Sequence, residues 1–371
     1  MKKLLSLLLN FIFKFTKIQN NKIIFESGRM RVDDNPLVLY KYIKANHPNQ
    51  FRTIWIVKKG TDVSMLNKGD YYYNRTLMAY YHLATSKYWI RSQSLASIVK
   101  KRKGQTYIQL WHGAFPVKKM GYDINNDEYR PPMEHVKDWD YLVSPHKYFS
   151  QIMRSSTGYD NKILILGEAR TDSIKNTTDE YINEIKQRLN ITDSEKKVVL
   201  YAPTFRDYEL KNDKLNLKIN KLAGNSNILV LLRVHPLINN LLKETKLDGN
   251  IINVSDYPDI TDLFLITDIL ITDYSSVIED FALLERPIVF YAYDYDEYVK
   301  CRGGFYLDYK KDLPGPIAYT EEQLIEIIDN IDNIAQEYKP LLARFNEKYN
   351  INNDGKVCER ITNEIIKGGF K

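Results

Sequence analysis

What the chain lacks narrows its function first. Two cysteines in 371 residues, Cys301 and Cys358, make neither a disulfide framework nor a metal-ligand spacing, so both read as packing residues in a reducing cytoplasm. There is no G-x-x-x-x-G-K-[ST] loop, no G-x-G-x-x-G fingerprint and no H-E-x-x-H pair, which disfavours a nucleoside triphosphatase, a dehydrogenase and a zinc hydrolase. No Asp-x-Asp element stands at an obvious strand end, because the aspartates of DYDEY fall in an expected loop. A required Mg2+ is therefore left open and unsupported by pattern. Low-complexity segments and close internal repeats are missing as well. Charge of one sign is not concentrated either: 53 Lys and Arg against 47 Asp and Glu leave a net +6, scattered rather than striped. That argues against nucleic acid and favours an anionic small molecule or an anionic lipid surface.

No apolar run reaches the about 20 residues that a bilayer span needs. The amino-terminal stretch from Leu4 to Phe15 is interrupted by Ser6, Asn10 and Lys14. A secretory signal peptide is disfavoured, since no small-residue cleavage pattern follows and KIIFES reads as a first strand. The composition suits a helix lying in a membrane interface, with Leu5, Leu8, Leu9, Ile12 and Phe13 immersed and Lys2, Lys3, Lys14 and Lys17 on headgroups. The alternative is an amphipathic helix packed on its own domain.

What is present is ordinary for a folded protein, 44% hydrophobic and 27% charged, and the length exceeds one hydrophobic core, so two domains are expected. Short β-branched runs alternate with helical periods, the pattern of strand–helix units and parallel sheets. Expected strands are KIIFE, RTIWIV, YWIR, TYIQLW and DYLVS in the first half. KVVLYAP, ILVLLRVHP, NIINVS, DILITDYSS and PIVFYA follow in the second, with helices such as TTDEYINEIKQRLN and SSVIEDFALLE between them. Two doubly wound halves result, joined near LILGEARTDSI. Ligands of open parallel sheets bind beyond the carboxyl ends of the strands, so the reaction is expected in a cleft between the halves and the motifs on strand-to-helix turns.

In TYIQLWHGAFPVKKMGYD a strand runs into His112 and Gly113, followed by Lys118 and Lys119. An imidazole freed at a strand end suits proton abstraction from a hydroxyl, although such a residue is as readily structural. In ILVLLRVHPL, alternation puts Arg233 and His235 on one face at the strand end, where they suit a departing phosphate, or else His235 simply bonds loop backbone. In DILITDYSSVIEDF, Ser276 and Glu279 have the spacing of a capping box. The same turn makes an anion site in which helix amides join the Ser275 and Ser276 hydroxyls, while Asp273 suits a ribose hydroxyl or a backbone amide. Thr204 and Arg206 of YAPTFRD close another strand where a diphosphate fits. Arg170 and Asp172 of GEARTD, and Arg302, extend the basic lining.

Together WHGAFPVKKMG, YAPTFRD, LLRVHP, DLFLITDILITDYSSVIEDFALLERPIVFY and RGGFYLDY with PGPI resemble the CDP-glycerol glycerophosphotransferase family of wall teichoic acid and capsule synthesis, over about residues 22–320. The resemblance implies an α/β fold of two Rossmann-like domains in a GT-B arrangement with an N-terminal membrane-associating helix. Residues 1–20 would be that interfacial helix, 21–168 the acceptor domain, and 169–371 the CDP-glycerol-binding domain with C-terminal helices. It also implies direct displacement, an acceptor hydroxyl attacking the glycerol-bearing phosphorus with loss of CMP. His112 is then the base and His235 a donor-phosphate ligand or acid. Arg206, Thr204, Arg233, Asp273, Ser275, Ser276, Glu279 and Arg170 line the donor side, and Gly113, Lys118, Lys119 and Arg29 the acceptor side.

Two stretches depart from the family's pattern. ESGRMRVDDNP carries Arg29 where a lysine is expected, and Gly167, Glu168, Ala169 and Arg170 replace a glycine-aromatic-proline-arginine run. Length points to a priming enzyme acting on a lipid-linked disaccharide, peripheral on the cytoplasmic face of the membrane. The expected partners are thus CDP-glycerol, a lipid-linked acceptor and the membrane surface. The alternatives are a ribitol-phosphate or capsular glycerol-phosphate transferase, or a glycosyltransferase using a cytidine-linked sugar.

Overall fold

The structure, a computed structural model, describes the chain except residues 1, 94–97, 114, 125–132, 194, 207–221, 223, 236–237, 241–249 and 371. The side chains of Lys2, Lys3, Leu5 and Glu134 also lie outside the described set. Two compact units emerge. One comprises Met1–Ala114, Pro131–Lys175 and Ile351–Lys371, the other Phe115–Arg130 and Asn176–Asn350.

The first unit is built on seven strands: β1 (Gln19–Glu26), β2 (Arg52–Val57), β3 (Tyr71–Tyr73), β4 (Ser86–Arg91), β5 (Thr106–Gln109), β6 (Tyr141–Ser144) and β7 (Lys162–Ile165). They are all parallel, in the order β3-β2-β1-β4-β5-β6-β7. Strands covered by helices on both faces must be apolar nearly throughout, and Ile23, Ile24, Phe25, Ile54, Trp55, Ile90 and Ile108 are accordingly buried. The second unit repeats the plan with β8 (Lys197–Tyr201), β9 (Ile228–Leu232), β10 (Ile251–Asn253), β11 (Ile269–Thr272), β12 (Ile288–Tyr291) and β13 (Ile317–Ala318). Its order is β10-β9-β8-β11-β12-β13, again parallel. Both sheets therefore reverse their winding once, between β1 and β4 and between β8 and β11. In open α/β sheets such a switch point opens the crevice that takes ligand.

Two elements differ from the sequence expectation. The Val357–Lys367 helix, expected with the second domain, packs on the first sheet: Val357, Cys358, Ile361 and Ile365 join Ile23, Phe25, Leu39 and Ile43 in one core. Its amino terminus is held by Asp172, whose carboxylate accepts from the amides of Val357 (3.0 Å) and Cys358 (2.8 Å). Asp172 is thus a cap supplied from another segment, satisfying helix amides that would otherwise be orphaned. Gly167 adopts φ 108°, and a Cβ there would meet Val357 Cγ2 at 2.5 Å and the Asn352 carbonyl at 2.6 Å. Only glycine fits that crossing.

The Lys2–Phe13 helix is the other difference. Leu9 and Phe13 turn inward, each 5% exposed, with Phe13 edge-on to Tyr81 and the Ser6 hydroxyl donating to the Ile98 carbonyl at 2.7 Å. The outward face is Leu4, Leu7, Leu8, Phe11, Ile12 and Phe15, between 49% and 74% exposed, beside exposed Lys14 and Lys17. The immersed face expected from sequence is corrected: Leu9 and Phe13 belong to the protein side. Among the described residues no helix is long and apolar enough to cross a membrane.

Candidate active site

In the first unit β5 ends at Gln109 and the chain turns through Trp111, His112 and Gly113. Trp111 takes φ 60° and Gly113 φ 121°. The glycine does so freely, whereas a bulky aromatic in the left-handed region is strained by roughly 1–3 kcal/mol. The turn lifts His112 into solvent, stacks its ring on Trp111 at 4.6 Å and sets Nδ1 2.9 Å from the Ser92 carbonyl oxygen. A carbonyl only accepts, so Nδ1 carries a proton, and in the neutral ring Nε2 then keeps its lone pair. That tautomer is the one a general base needs.

Ser92 follows β4 directly at the switch point, and the pair beneath it is ionic. Arg91 Nη2 lies 2.6 Å from Glu26 Oε2 at the end of β1, both side chains almost wholly buried. Burial pushes the Glu26 carboxyl up while Arg91 pulls it down. Arg29, on the turn after β1, is exposed at φ 56°. Arg170, expected on the donor side, belongs to this first unit. Its guanidinium lies 3.2 Å from Asp34 Oδ1 and 3.2 Å from Glu168 Oε1. It sits where it does because β7 delivers residues 166–175 onto the first sheet.

In the second unit the switch point is organised by one buried cation. Arg206 grips Asp294 with two nitrogens, Nε to Oδ2 at 2.6 Å and Nη2 to Oδ1 at 2.9 Å. Its third, Nη1, lies 2.7 Å from Asp273 Oδ2 and donates to the Thr204 carbonyl at 2.5 Å. Burial opposes that charge, yet Asp273 and Asp294 outweigh it and hold Arg206 firmly ionised. Asp273 also accepts from the Thr204 amide at 2.9 Å and the Tyr274 amide at 2.5 Å, and Tyr274 Oη donates to Asp294 at 3.0 Å. Arg206 and Asp273, expected on the donor side, thus form the frame that shapes the turn, with Asp273 on the backbone amides that its position allows.

Around that frame stand groups suited to a ligand. The Thr204 hydroxyl is shielded and has no hydrogen-bond partner among the described residues. Ser276 occupies the N-cap position of the Val277–Ala282 helix but makes no side-chain cap bond. The Ser275 hydroxyl lies a long 3.5 Å from the Val277 amide. The expected capping box is therefore not formed, and Glu279 is fully buried instead. His235 lies three residues beyond β9 with its ring 4.3 Å from that of Phe205. Arg233 is turned aside: Nη1 donates to the carbonyls of Val254 (3.2 Å) and Tyr257 (2.7 Å), which fastens it to the loop beyond β10.

The WHG segment is divided between the units. Phe115 packs against Phe345 and Tyr349, both at 4.8 Å. Lys118 bridges to Phe305, the Lys119 amide donates to the Gly304 carbonyl at 3.2 Å, and the Tyr306 amide donates to the Val117 carbonyl at 3.0 Å. Lys118 and Lys119, expected with the acceptor domain, thus belong to the second unit, and the charge of Lys118 is felt alongside Asp273, Arg302 and Arg206. Among the described residues no group of three or more His, Cys, Asp or Glu side chains is placed to hold a metal ion.

The family model for CDP-glycerol:poly(glycerophosphate) glycerophosphotransferase matches residues 8–367. The chain belongs to that family. This glycerophosphotransferase is 38% identical to the teichoic acid glycerol-phosphate transferase of Staphylococcus aureus strain NCTC 8325, over 99% of its own length and 98% of the relative's. It is 33% identical to the teichoic acid poly(glycerol phosphate) polymerase of Bacillus subtilis strain 168 over 94% of its own length, but spans only 49% of that protein. Among solved structures it resembles the wall teichoic acid polymerase TagF, in a histidine-to-asparagine variant soaked with CDPG, with a TM-score of 0.88 and 32% identity over 99% of this chain and 93% of that one.

The two switch points of the glycerophosphotransferase also contain buried ion-pair residues that the motifs did not single out. Asp294 opens DYDEY, expected as a loop but forming the start of the Tyr295–Arg302 helix with Asp294 at its N-cap position, and nothing in its spacing marks it as the partner of Arg206. Glu26 and Arg91 end separate strands, and only the strand order makes them neighbours.

Proposed function

We propose that the protein transfers glycerol phosphate from CDP-glycerol to a hydroxyl of a lipid-linked teichoic acid acceptor, as a priming step at the cytoplasmic face of the membrane, in a GT-B arrangement. The observation that carries this reading is His112, exposed at a switch point with Nδ1 committed to the Ser92 carbonyl. Nε2 takes the proton of the acceptor hydroxyl as its oxygen attacks the glycerol-bearing phosphorus. The bond from that phosphorus to the bridging oxygen breaks and CMP leaves with the electron pair. His235, Thr204, Ser275, Ser276, Lys118 and Arg302 are proposed to hold the donor diphosphate. Lys118 and Arg302 supply its countercharge, because Arg206 is already neutralised by two carboxylates. Near end-to-end similarity to a teichoic acid glycerol-phosphate transferase supports transfer of glycerol phosphate.

Incubating the protein with radiolabelled CDP-glycerol and lipid-linked acceptors, with CDP-ribitol as competitor, tests this reading. The expected product is one glycerol phosphate longer and CMP accumulates one for one. A ladder of longer products would overturn the priming step, and preference for CDP-ribitol would overturn the donor.

The membrane part rests on the exposed apolar face of the Lys2–Phe13 helix, with Lys14 and Lys17 beside it. Apolar insertion joined to cationic attraction is the physics of interfacial helices. Replacing Leu7 and Phe11, which make no core, by glutamate should cut sedimentation with anionic vesicles at least tenfold without lowering Tm. Unchanged sedimentation would remove the membrane contact from the proposal.

A further inference from the structure

Asn35 is a fully buried side chain that hydrogen-bonds the His112 turn from a distant segment of the first unit. Its Nδ2 donates to the Trp111 carbonyl at 3.1 Å and to Glu168 Oε1 at 3.1 Å, while its Oδ1 accepts from the Arg170 amide at 2.8 Å. A primary amide has two hydrogens for two acceptors and a carbonyl for one donor. Aspartate has no hydrogen to give, and leucine offers neither. Glu168 is itself fixed, its amide donating to Asn353 Oδ1 at 2.8 Å and its Oε1 lying 3.2 Å from Arg170 Nη2.

Trp111 needs such a fastener. Its left-handed backbone relaxes unless neighbouring groups over-determine it, and two side chains do so: Gln109 Oε1 accepts from the Trp111 amide at 3.1 Å, and Asn35 holds the Trp111 carbonyl. That peptide leads directly into His112, whose ring stacks on the Trp111 indole. If Trp111 relaxes, its indole leaves the imidazole face, and the approach of Nδ1 to the Ser92 carbonyl, which chooses the tautomer, is lost.

We propose that Asn35 is a positioning residue for His112: by holding the Trp111 carbonyl it keeps the imidazole in the Nδ1-protonated form with Nε2 free to accept a proton. The proposal deepens the reading of His112 as base and rests on it for its effect on turnover. Its structural half stands independently.

The test uses the full chain with Asn35→Ala and the near-isosteric Asn35→Asp. Displacement of a catalytic group by about 1 Å costs on the order of 100-fold, so kcat should fall about 30- to 100-fold while the Kd for CDP-glycerol stays within twofold. Nitrogen-15 spectra of the histidine rings, with His112 assigned by its loss in His112→Ala, should show the Nδ1-protonated form in the native protein and a tautomer mixture in the variants. A purely stabilising residue would lower Tm and leave tautomer and kcat of the folded fraction untouched. That result would overturn the proposal, as would failure of both variants to fold. A His112→Ala protein that still turns over, with the tautomer change present in the Asn35 variants, would sink the base assignment and leave Asn35's hold on the ring intact.

Discussion

His112→Ala should lose transfer by about 10²–10⁴-fold in kcat, the range supplied by a positioned general base, while binding CDP-glycerol with native affinity. The separation of effects follows from the fold. His112 ends a turn of the first unit, whereas the frame of Arg206, Asp273 and Asp294 and the residues around it belong to the second. The ring is exposed and supports no core, so stability should hardly change. Single-turnover measurement of CMP release with saturating acceptor, paired with calorimetric titration of CDP-glycerol, gives both quantities. A kcat within threefold of native would mean that another group takes the proton. Lost donor binding would mean that His112 touches the donor.

Asp294→Ala should instead destabilise the second unit by about 3–5 kcal/mol, the usual consequence of removing one partner from a buried ion pair. Side-chain exposures of 2% for Arg206 and 5% for Asp294 leave no water to compensate. The variant strands Nε and Nη2 of Arg206 and removes the acceptor of the Tyr274 hydroxyl. For a unit of this size that amounts to a fall in Tm of roughly 6–20 °C, visible by calorimetry as a downward shift of one transition. Donor binding should weaken as well, since Asp273 loses the guanidinium that fixes it against the Thr204 and Tyr274 amides. Asp294→Asn keeps one acceptor and should show a smaller loss in both. A fall of less than 2 °C for the alanine variant would contradict the central role given to this pair.

The strands show how far pattern reaches. All ten runs expected from their β-branched composition form strands, since a strand buried on both faces has to be apolar along its length. Of the three unforeseen ones, two are too short or lack that composition, and the third carries it in KILI but is little buried. β3 is three tyrosines, β13 is two residues, and β7 has an exposed lysine at one end with half-buried and exposed positions after it. The helix after the join begins at Asp179 with Thr178 as cap, its hydroxyl accepting from the Tyr181 amide, as that residue type in front of acidic residues implies. The Ser276 to Glu279 spacing reads equally well as a capping box, but Glu279 is drawn into the core. Local spacing states which bonds a turn is able to make; packing decides which of them it makes.

The sequence by itself determined two parallel-sheet halves, motifs at strand ends, an imidazole after β5 and an amphipathic first helix, because those follow from hydrophobic period and turn chemistry, which are local. Tertiary structure alone decided which charges are consumed and which stay available. Arg206 is neutralised by an aspartate 88 positions away, Arg170 is claimed by Asp34 and Glu168, Lys118 crosses into the second unit, and Asn35 fastens a turn 76 positions away. Each of these depends on how the chain folds within its own unit, which brings residues distant in sequence together, and the desolvation there makes an unpaired charge or amide too costly to leave unmet.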